Sequence, residues 1–308
     1  MRTVFSKVAL ITGGTGFVGS NIAHRLVREG WNVNIISIPG DNYILVKDIL
    51  NKIKVYEHDG STENMYDIVA DAHPTVVFHL ASLFLAQHAP RDIKNLIQSN
   101  ILFGTQLVDA MISKGVYYLI NTGTSWQHFE NKEYSPACLY AATKQAYESI
   151  LEYYIEAELL KVITLKLLDT YGPNDPRPKL FTLLRRFAHE NKPLHMSPGQ
   201  QLIDLVYIDD VVEAYLIAGE ALVNNNVQNM ETYAVSSGKP VSLKELVALY
   251  SRISGNSPQI VWGGRPYRSR EVMVPWKGGR KLSGWEPKVG LIEGIKNIIN
   301  YKEDSRLC

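Results

Sequence analysis

The residues best placed to do chemistry are Tyr140 and Lys144, in the run Tyr-Ala-Ala-Thr-Lys that opens a helix-forming stretch. A tyrosine and a lysine four apart share one face of a helix. A free phenol titrates at about pH 10, and a neighbouring ammonium favours the phenolate and draws that value toward neutrality. So placed, Tyr140 could exchange a proton with a hydroxyl or carbonyl oxygen. Taken alone, the same five residues describe a solvated helix face better than an active one. The surrounding chain has to decide.

The first context is Thr-Gly-Gly-Thr-Gly-Phe-Val-Gly-Ser (12–20), which joins an apolar run to a helix-forming one. Gly13, Gly16 and Gly19 give GxxGxxG spacing. Glycines between a strand and a helix let the backbone approach a pyrophosphate, whose charge the helix N-terminus favours. The turn therefore predicts a dinucleotide site. An acid at the end of the second strand would bond the adenosine ribose 2′-hydroxyl and repel a 2′-phosphate. Here that strand ends at Ser37, and the first acid, Asp41, lies past a Pro-Gly turn. This favours NADP(H) over NAD(H), although no arginine stands nearby to hold the phosphate.

The elements that must position these residues follow from the pattern of apolar runs. Residues 7–12, 32–37, 53–57, 75–80, 117–122 and 161–168 read as strands, mostly apolar throughout, as strands covered on both faces are. Helical stretches are expected at 18–29, 62–72, 92–113 and 138–160. Such alternation predicts an α/β fold, a doubly wound parallel sheet of the Rossmann type. Beyond residue 172 a proline-rich loop leaves the sheet. A helix at 179–191, a strand running into a helix over 202–222, a strand at "ETYAV" (231–235) and a helix opening at Ser242, with Glu245 as its capping-box partner, are expected next. The segment 262–288, rich in Gly, Pro, Arg and Trp, reads as a folded loop region. The division expected is a dinucleotide-binding domain of 1–170 plus about 204–236, and a smaller, partly discontinuous α/β substrate lobe of 171–203 and 237–308.

Composition narrows the class. The 308 residues are 45% hydrophobic and 20% charged, enough for a full core. A net charge of +1 argues against binding nucleic acid by bulk electrostatics. Two cysteines, Cys138 and Cys308, support neither a disulfide framework nor a cysteine zinc site. No apolar run is long enough to span a membrane. The apolar stretch after the basic N-terminus is too short for a signal sequence and leads straight into the glycine turn. The expected location is the cytoplasm. Asp209 and Asp210 resemble a metal pair but are expected to cap the helix beginning near Val211, so no metal is expected.

The glycine turn, Asp59 after the third strand, His-Leu-Ala (79–81) after the fourth, Ser-Asn-Ile-Leu-Phe-Gly-Thr (99–105), Thr124, Tyr140 with Lys144, Tyr-Gly-Pro-Asn-Asp (171–175) and Val-Tyr-Ile-Asp-Asp-Val (206–211) stand in a fixed order. That order resembles the extended short-chain dehydrogenases/reductases, a family acting largely on nucleotide sugars, over nearly the whole chain. The second half is most similar to the CDP-abequose and CDP-paratose synthases, which are 4-ketoreductases. The resemblance implies cofactor contacts from Gly13, Thr15, Gly16, Phe17, Val18, Gly19, Ser37, Asp59, Gly60, Leu80, Ala81, Ser82, Asn100 and Thr122. Lys144 would hold the nicotinamide ribose, Tyr140 would exchange the proton, and Thr124 would orient the reacting oxygen toward it. Substrate contacts are implied for Ser82, His88, Thr124, Ser125, Asp169, Lys179 and Arg268, with Arg265 and Arg270 as further candidates.

Departures from the family pattern sharpen the reading. Dehydratases of the family carry Asp-Glu directly after this threonine; here Ser125 and Trp126 stand there, so elimination of water is not expected. Asp169 replaces an asparagine, and Ile203 replaces an arginine that contacts the diphosphate. The resemblance thus implies a reductase of a nucleotide-linked 4-keto-6-deoxyhexose, in deoxysugar biosynthesis for surface glycans, with an NAD-retaining 4-epimerase as the alternative and a non-catalytic cofactor-sensing binding protein as a remote one. Family members pair the helices corresponding to 92–113 and 138–160, so a homodimer is expected.

Overall fold

A computed structural model of the chain describes residues 7–224 and 227–301. Cys308 and the first residues of the N-terminal segment lie outside the described residues. Six strands lead the fold: β1 (Val8–Thr12), β2 (Asn32–Ser37), β3 (Ile53–Glu57), β4 (Val76–His79), β5 (Tyr118–Thr124) and β6 (Lys161–Leu167). Short strands follow: β7 (Asp169–Tyr171), β8 (Leu194–Met196), β9 (Leu202–Ile203), β10 (Leu205–Tyr207), then β11 (Met230–Val235), β12 (Val241–Ser242) and β13 (Ile260–Trp262). The central sheet has seven strands in the order β11-β6-β5-β4-β1-β2-β3, all parallel. The order reverses between β1 and β4, and in such sheets the crevice at the reversal holds the ligand.

Alternation along each strand divides the core. Ala9 and Ile11 pack on one face of the sheet and Leu10 on the other; Val76 and Phe78 oppose Val77 in the same way. Strands buried on both faces need helices on both, which explains their continuous apolarity. The helices are α1 (Phe17–Arg28), α2 (Thr62–Ala72), α3 (Ile93–Ile97), α4 (Phe103–Ser113), α5 (Leu139–Ala157), α6 (Leu180–His189), α7 (Ile208–Val223), α8 (Leu243–Ser254) and α9 (Leu291–Asn300). Ser242 caps α8, with Glu245 closing the capping box.

Three expectations are corrected. The segment 92–113 is not one regular helix: a π-helical turn, Gln98–Leu102, separates α3 from α4. The wide turn lets Asn100 face inward, and such bulges recur at functional sites. Asp209 and Asp210 do not cap α7, which begins at Ile208 without a side-chain cap. Instead the Asp210 carboxylate accepts the backbone N–H groups of Lys288 and Val289, tying the loop before α9 to α7. Finally, α9 and the paired short strands β7–β10, β8–β13 and β9–β12 give residues 169–301 more regular structure than the sequence suggests.

Candidate active site

The glycine turn is tight because α1 starts directly on β1. Gly13 has φ +69°, and a Cβ at Gly19 would lie 2.2 Å from the Gly13 carbonyl oxygen. α1 has no side-chain cap at Gly16 and no acid in its first turn, so its leading N–H groups stay free for an anion.

α5 presents Tyr140, Lys144, Tyr147, Leu151 and Ile155 on its buried face. The spacing puts Tyr140 and Lys144 on the inward stripe, not on the solvated one. The helix is seated closely: Tyr147 donates to the Gly104 carbonyl, 3.1 Å away, and a Cβ at Gly104 would meet the Tyr147 ring at 2.6 Å. Asn100 fixes the facing loop by accepting from the Leu83 N–H (2.7 Å) and donating to Leu83 O and Thr143 Oγ1. One side chain thereby joins the π-turn, the loop after β4 and the first turn of α5.

These elements surround a cleft of about 570 Å³. Of the residues expected to serve, Gly13, Gly16, Phe17, Val18, Gly19, Leu80, Ser82, Thr122, Thr124, Ser125, Tyr140, Lys144, Asp169 and Lys179 line it. Burial pushes the Tyr140 phenol up to about 12, outweighing the Ser82 and Thr124 hydroxyls, which favour the phenolate. The expected drift toward neutrality is therefore not what the free protein shows: desolvation of the phenolate dominates. Lys144 is 1% exposed, its Nζ has no hydrogen-bond partner among the described residues, and burial brings it down to about 8. A buried, unpaired ammonium lining a cleft beside an open helix N-terminus fits the ribose hydroxyls of a dinucleotide bound along β1 and β4.

Other expected residues stand elsewhere. Ser37 is buried, and its hydroxyl is spent on Tyr56 O and Tyr43 Oη. Thr15 donates to Asp41 and not into the cleft. Asp59 accepts from Ser61 N–H and Oγ–H, and the Gly60 carbonyl accepts from Gln106. Ala81 gives its N–H to Thr12 Oγ1. His88 is exposed and is not among the residues lining the cleft. Arg268 chelates Glu271 and lies over Trp126, 4.7 Å from the ring centre, lining an adjoining cavity of about 230 Å³. Arg270 ties Ser135 and Pro136, so its guanidinium is spent on that loop.

Asp169 lines the main cleft, that cavity and a third of about 180 Å³; its carboxylate is 3.5 Å from Lys179 Nζ. It is the only carboxylate among the described residues lining the main cleft.

Two features escaped sequence reasoning. Arg177, between two prolines, is held by Asp175 and Thr170, stacks 4.6 Å over Phe17 and lines the cleft. A buried polar chain also runs behind Thr124. The Thr124 N–H donates to Gln127 Oε1 (2.9 Å), Gln127 Nε2 donates to Glu148 Oε1 (3.0 Å), and Glu148 pairs with Lys166 at 3.3 Å. Glu148 lies one turn beyond Lys144, so one carboxylate backs both the threonine and the lysine. Thr124 and Gln127 form a local capping box, but Gln127, Glu148 and Lys166 are distant from one another in sequence.

The chain belongs to the NAD dependent epimerase/dehydratase family, whose pattern matches residues 9–234. It is thereby an enzyme of the nicotinamide-dependent oxidoreductase type. It is similar to the CDP-abequose synthase of Salmonella muenchen, 25% identical over 97% of this chain and 99% of that one. It is likewise similar to the CDP-abequose synthase of Yersinia pseudotuberculosis, 28% identical over 86% and 90%. Among solved structures it resembles the UDP-glucose 4-epimerase of Thermotoga maritima with UDP-glucose, with TM-score 0.83, 25% identity and 95% and 97% coverage. The UDP-glucose 4-epimerase of Thermus thermophilus with NAD gives TM-score 0.82 and 25% identity over 94% and 97%. No described helix is long and apolar enough to cross a membrane.

Proposed function

We propose that the protein reduces a nucleotide-linked 4-keto-6-deoxyhexose at C4, in deoxysugar biosynthesis for surface glycans. The observation that carries this reading is the buried Tyr140–Lys144–Thr124 site, which has no acid–base pair beside Thr124. Eliminating water needs such a pair; returning a proton to a carbonyl oxygen needs only one donor. Tyr140 is that donor. With its phenol at about 12, ionising it at pH 7 costs about 7 kcal/mol, so it starts protonated, as reduction requires. Thr124 and Ser82 orient the carbonyl oxygen toward the phenol, and Lys144 holds the nicotinamide ribose. When bound, the reduced nicotinamide supplies the hydride to C4.

The likeness to CDP-abequose synthases supports a CDP-, dTDP-, UDP- or GDP-linked sugar as substrate, gripped by Lys179, Arg268 and Arg177 from a lobe of 171–203 and 237–308. On sequence grounds the missing acid at Ser37 favours NADP(H); the geometry of the turn after β2 favours the other form. A homodimer through 92–113 and 138–160 belongs to the reading. Ile97, Leu102 and Tyr153, exposed by 41%, 46% and 63%, support it. Cytoplasmic location goes with it.

A second reading, a 4-epimerase that keeps its cofactor, is favoured by the likeness to two UDP-glucose 4-epimerases. A matrix of nucleotide-linked 4-ketosugars against NADH and NADPH separates the two. The reductase consumes one reduced cofactor per sugar, and Tyr140→Phe abolishes this. Tightly retained NAD, with turnover and no added reductant, selects the epimerase. Unchanged turnover in Tyr140→Phe rejects the mechanism common to both.

A further inference from the structure

We infer that Asp41 is the acid that receives the adenosine ribose 2′-hydroxyl, and that this chain therefore binds NAD(H) in preference to NADP(H). The inference rests on the dinucleotide reading of the glycine turn and deepens it. The end of β2 lacks an acid, but the chain does not run on in the direction of the strand. Ile38-Pro39-Gly40-Asp41 is a tight turn: Asp41 N–H donates to Ile38 O at 3.1 Å, and Gly40 has φ +87°. Proline second and a left-handed glycine third are the pairing that a type II turn demands. The turn folds Asp41 back over the strand end.

The returned carboxylate meets the glycine turn itself. Its Oδ2 accepts from Thr15 Oγ1 at 3.0 Å and from Ile38 N–H at 3.2 Å. Thr15 lies between Gly14 and Gly16, directly before the open N-terminus of α1. Oδ1 has no hydrogen-bond partner among the described residues, which leaves it to accept from a hydroxyl. A dinucleotide with its pyrophosphate at α1 has its adenosine ribose beside the end of β2. Ser37 cannot serve, because its hydroxyl is already committed within the fold.

Charge completes the case. Between Ile38 and Val46 there is no lysine, arginine or histidine, and none occurs from Thr12 to Ala23. Beyond those stretches, His24 bonds Asp48 and Arg25 pairs with Glu29 and Glu213, while Lys47 is exposed on the helical turn that follows. A 2′-phosphate placed here would face the Asp41 carboxylate with no cation in the turn or the glycine loop to offset it, whereas a 2′-hydroxyl finds an acceptor.

Calorimetric titration of the protein, stripped of bound nucleotide, with NAD⁺ and NADP⁺ tests this without any turnover. The wild type should bind NAD⁺ more tightly, by on the order of 100-fold. Asp41→Asn, which keeps an oxygen for Thr15 and removes the charge, should narrow that ratio at least about tenfold by strengthening NADP⁺. ADP-ribose against 2′-phospho-ADP-ribose on the wild type should repeat the preference, so the inference stands or falls even if the variant folds poorly. A wild type that prefers NADP⁺, or a ratio unmoved in a folded Asp41→Asn, overturns it. Binding of neither dinucleotide by the wild type refutes the dinucleotide site itself, a failure distinct from a misassigned acid.

Discussion

Replacing Lys144 by methionine should make the cofactor-free protein more stable while removing its activity. Lys144 is fully enclosed, its ammonium has no hydrogen-bond partner among the described residues, and burial lowers it from the ordinary 10.5 to about 8. Each pH unit of displacement is worth about 1.4 kcal/mol, so holding the charge inside costs the fold about 3 kcal/mol. Methionine fills a similar volume and carries no charge to desolvate. The sign of the pH dependence follows from linkage. Below about pH 8 the lysine is charged whether folded or unfolded, and the full penalty applies. As pH rises from about 8 toward 10.5, the unfolded chain still binds a proton that the folded chain has released, so the wild type regains stability relative to the variant. Thermal unfolding of both stripped proteins should show Lys144→Met melting higher at pH 7 by on the order of 5 °C, with most of the difference gone by about pH 10. A variant less stable at pH 7, or an advantage that does not shrink with pH, would refute the claim that this ammonium is held at a cost for function.

Three further outcomes follow from particular contacts. Gly19→Ala puts a methyl group 2.2 Å from the Gly13 carbonyl; it should cost about 1–3 kcal/mol in urea unfolding and abolish dinucleotide binding by calorimetry. Gln127→Ala frees the Thr124 N–H and removes one donor from Glu148, which keeps Lys166; kcat should fall at least about tenfold with KM for the sugar little changed, as for loss of a positioning contact made at the transition state. Asp210→Ala leaves the N–H groups of Lys288 and Val289 without their acceptor. It should destabilise by about 2–5 kcal/mol without altering cofactor affinity.

What the sequence discloses here depends on how local the cause is. The parallel sheet is legible because its strands are apolar on both faces, and α1 and α5 because their stripes recur at helical spacing. Ser242 and Glu245 announce α8 for the same reason: the capping box is complete within four residues. Asp41 shows the opposite case. It is visible in the sequence, but only the Pro39-Gly40 turn brings it back to Thr15, and a reading by distance along the strand passes it over. Asp210 misleads because an acid in a first helical turn is usually local, whereas this one serves a loop nearly eighty residues away. The Gln127–Glu148–Lys166 chain joins β5, α5 and β6 through side chains, and no spacing rule connects them. Burial likewise decides Tyr140: its lysine neighbour suggests a lowered phenol, while the enclosed site raises it.

The reductase reading loses one of its supports if Asp41 selects NAD(H), which leaves the chemistry at C4 to decide. The direct test gives the stripped enzyme a nucleotide-linked 4-keto-6-deoxyhexose with nicotinamide reduced and deuterated at C4, and reads the product by NMR. The account predicts one deuterium at sugar C4 per cofactor oxidised, in a single configuration, with none transferred by Tyr140→Phe. Recovery of the 4-ketosugar with no oxidation of added cofactor and no deuterium at C4, from enzyme that interconverts the C4 epimers of the corresponding 4-hydroxy sugar with NAD, would contradict it.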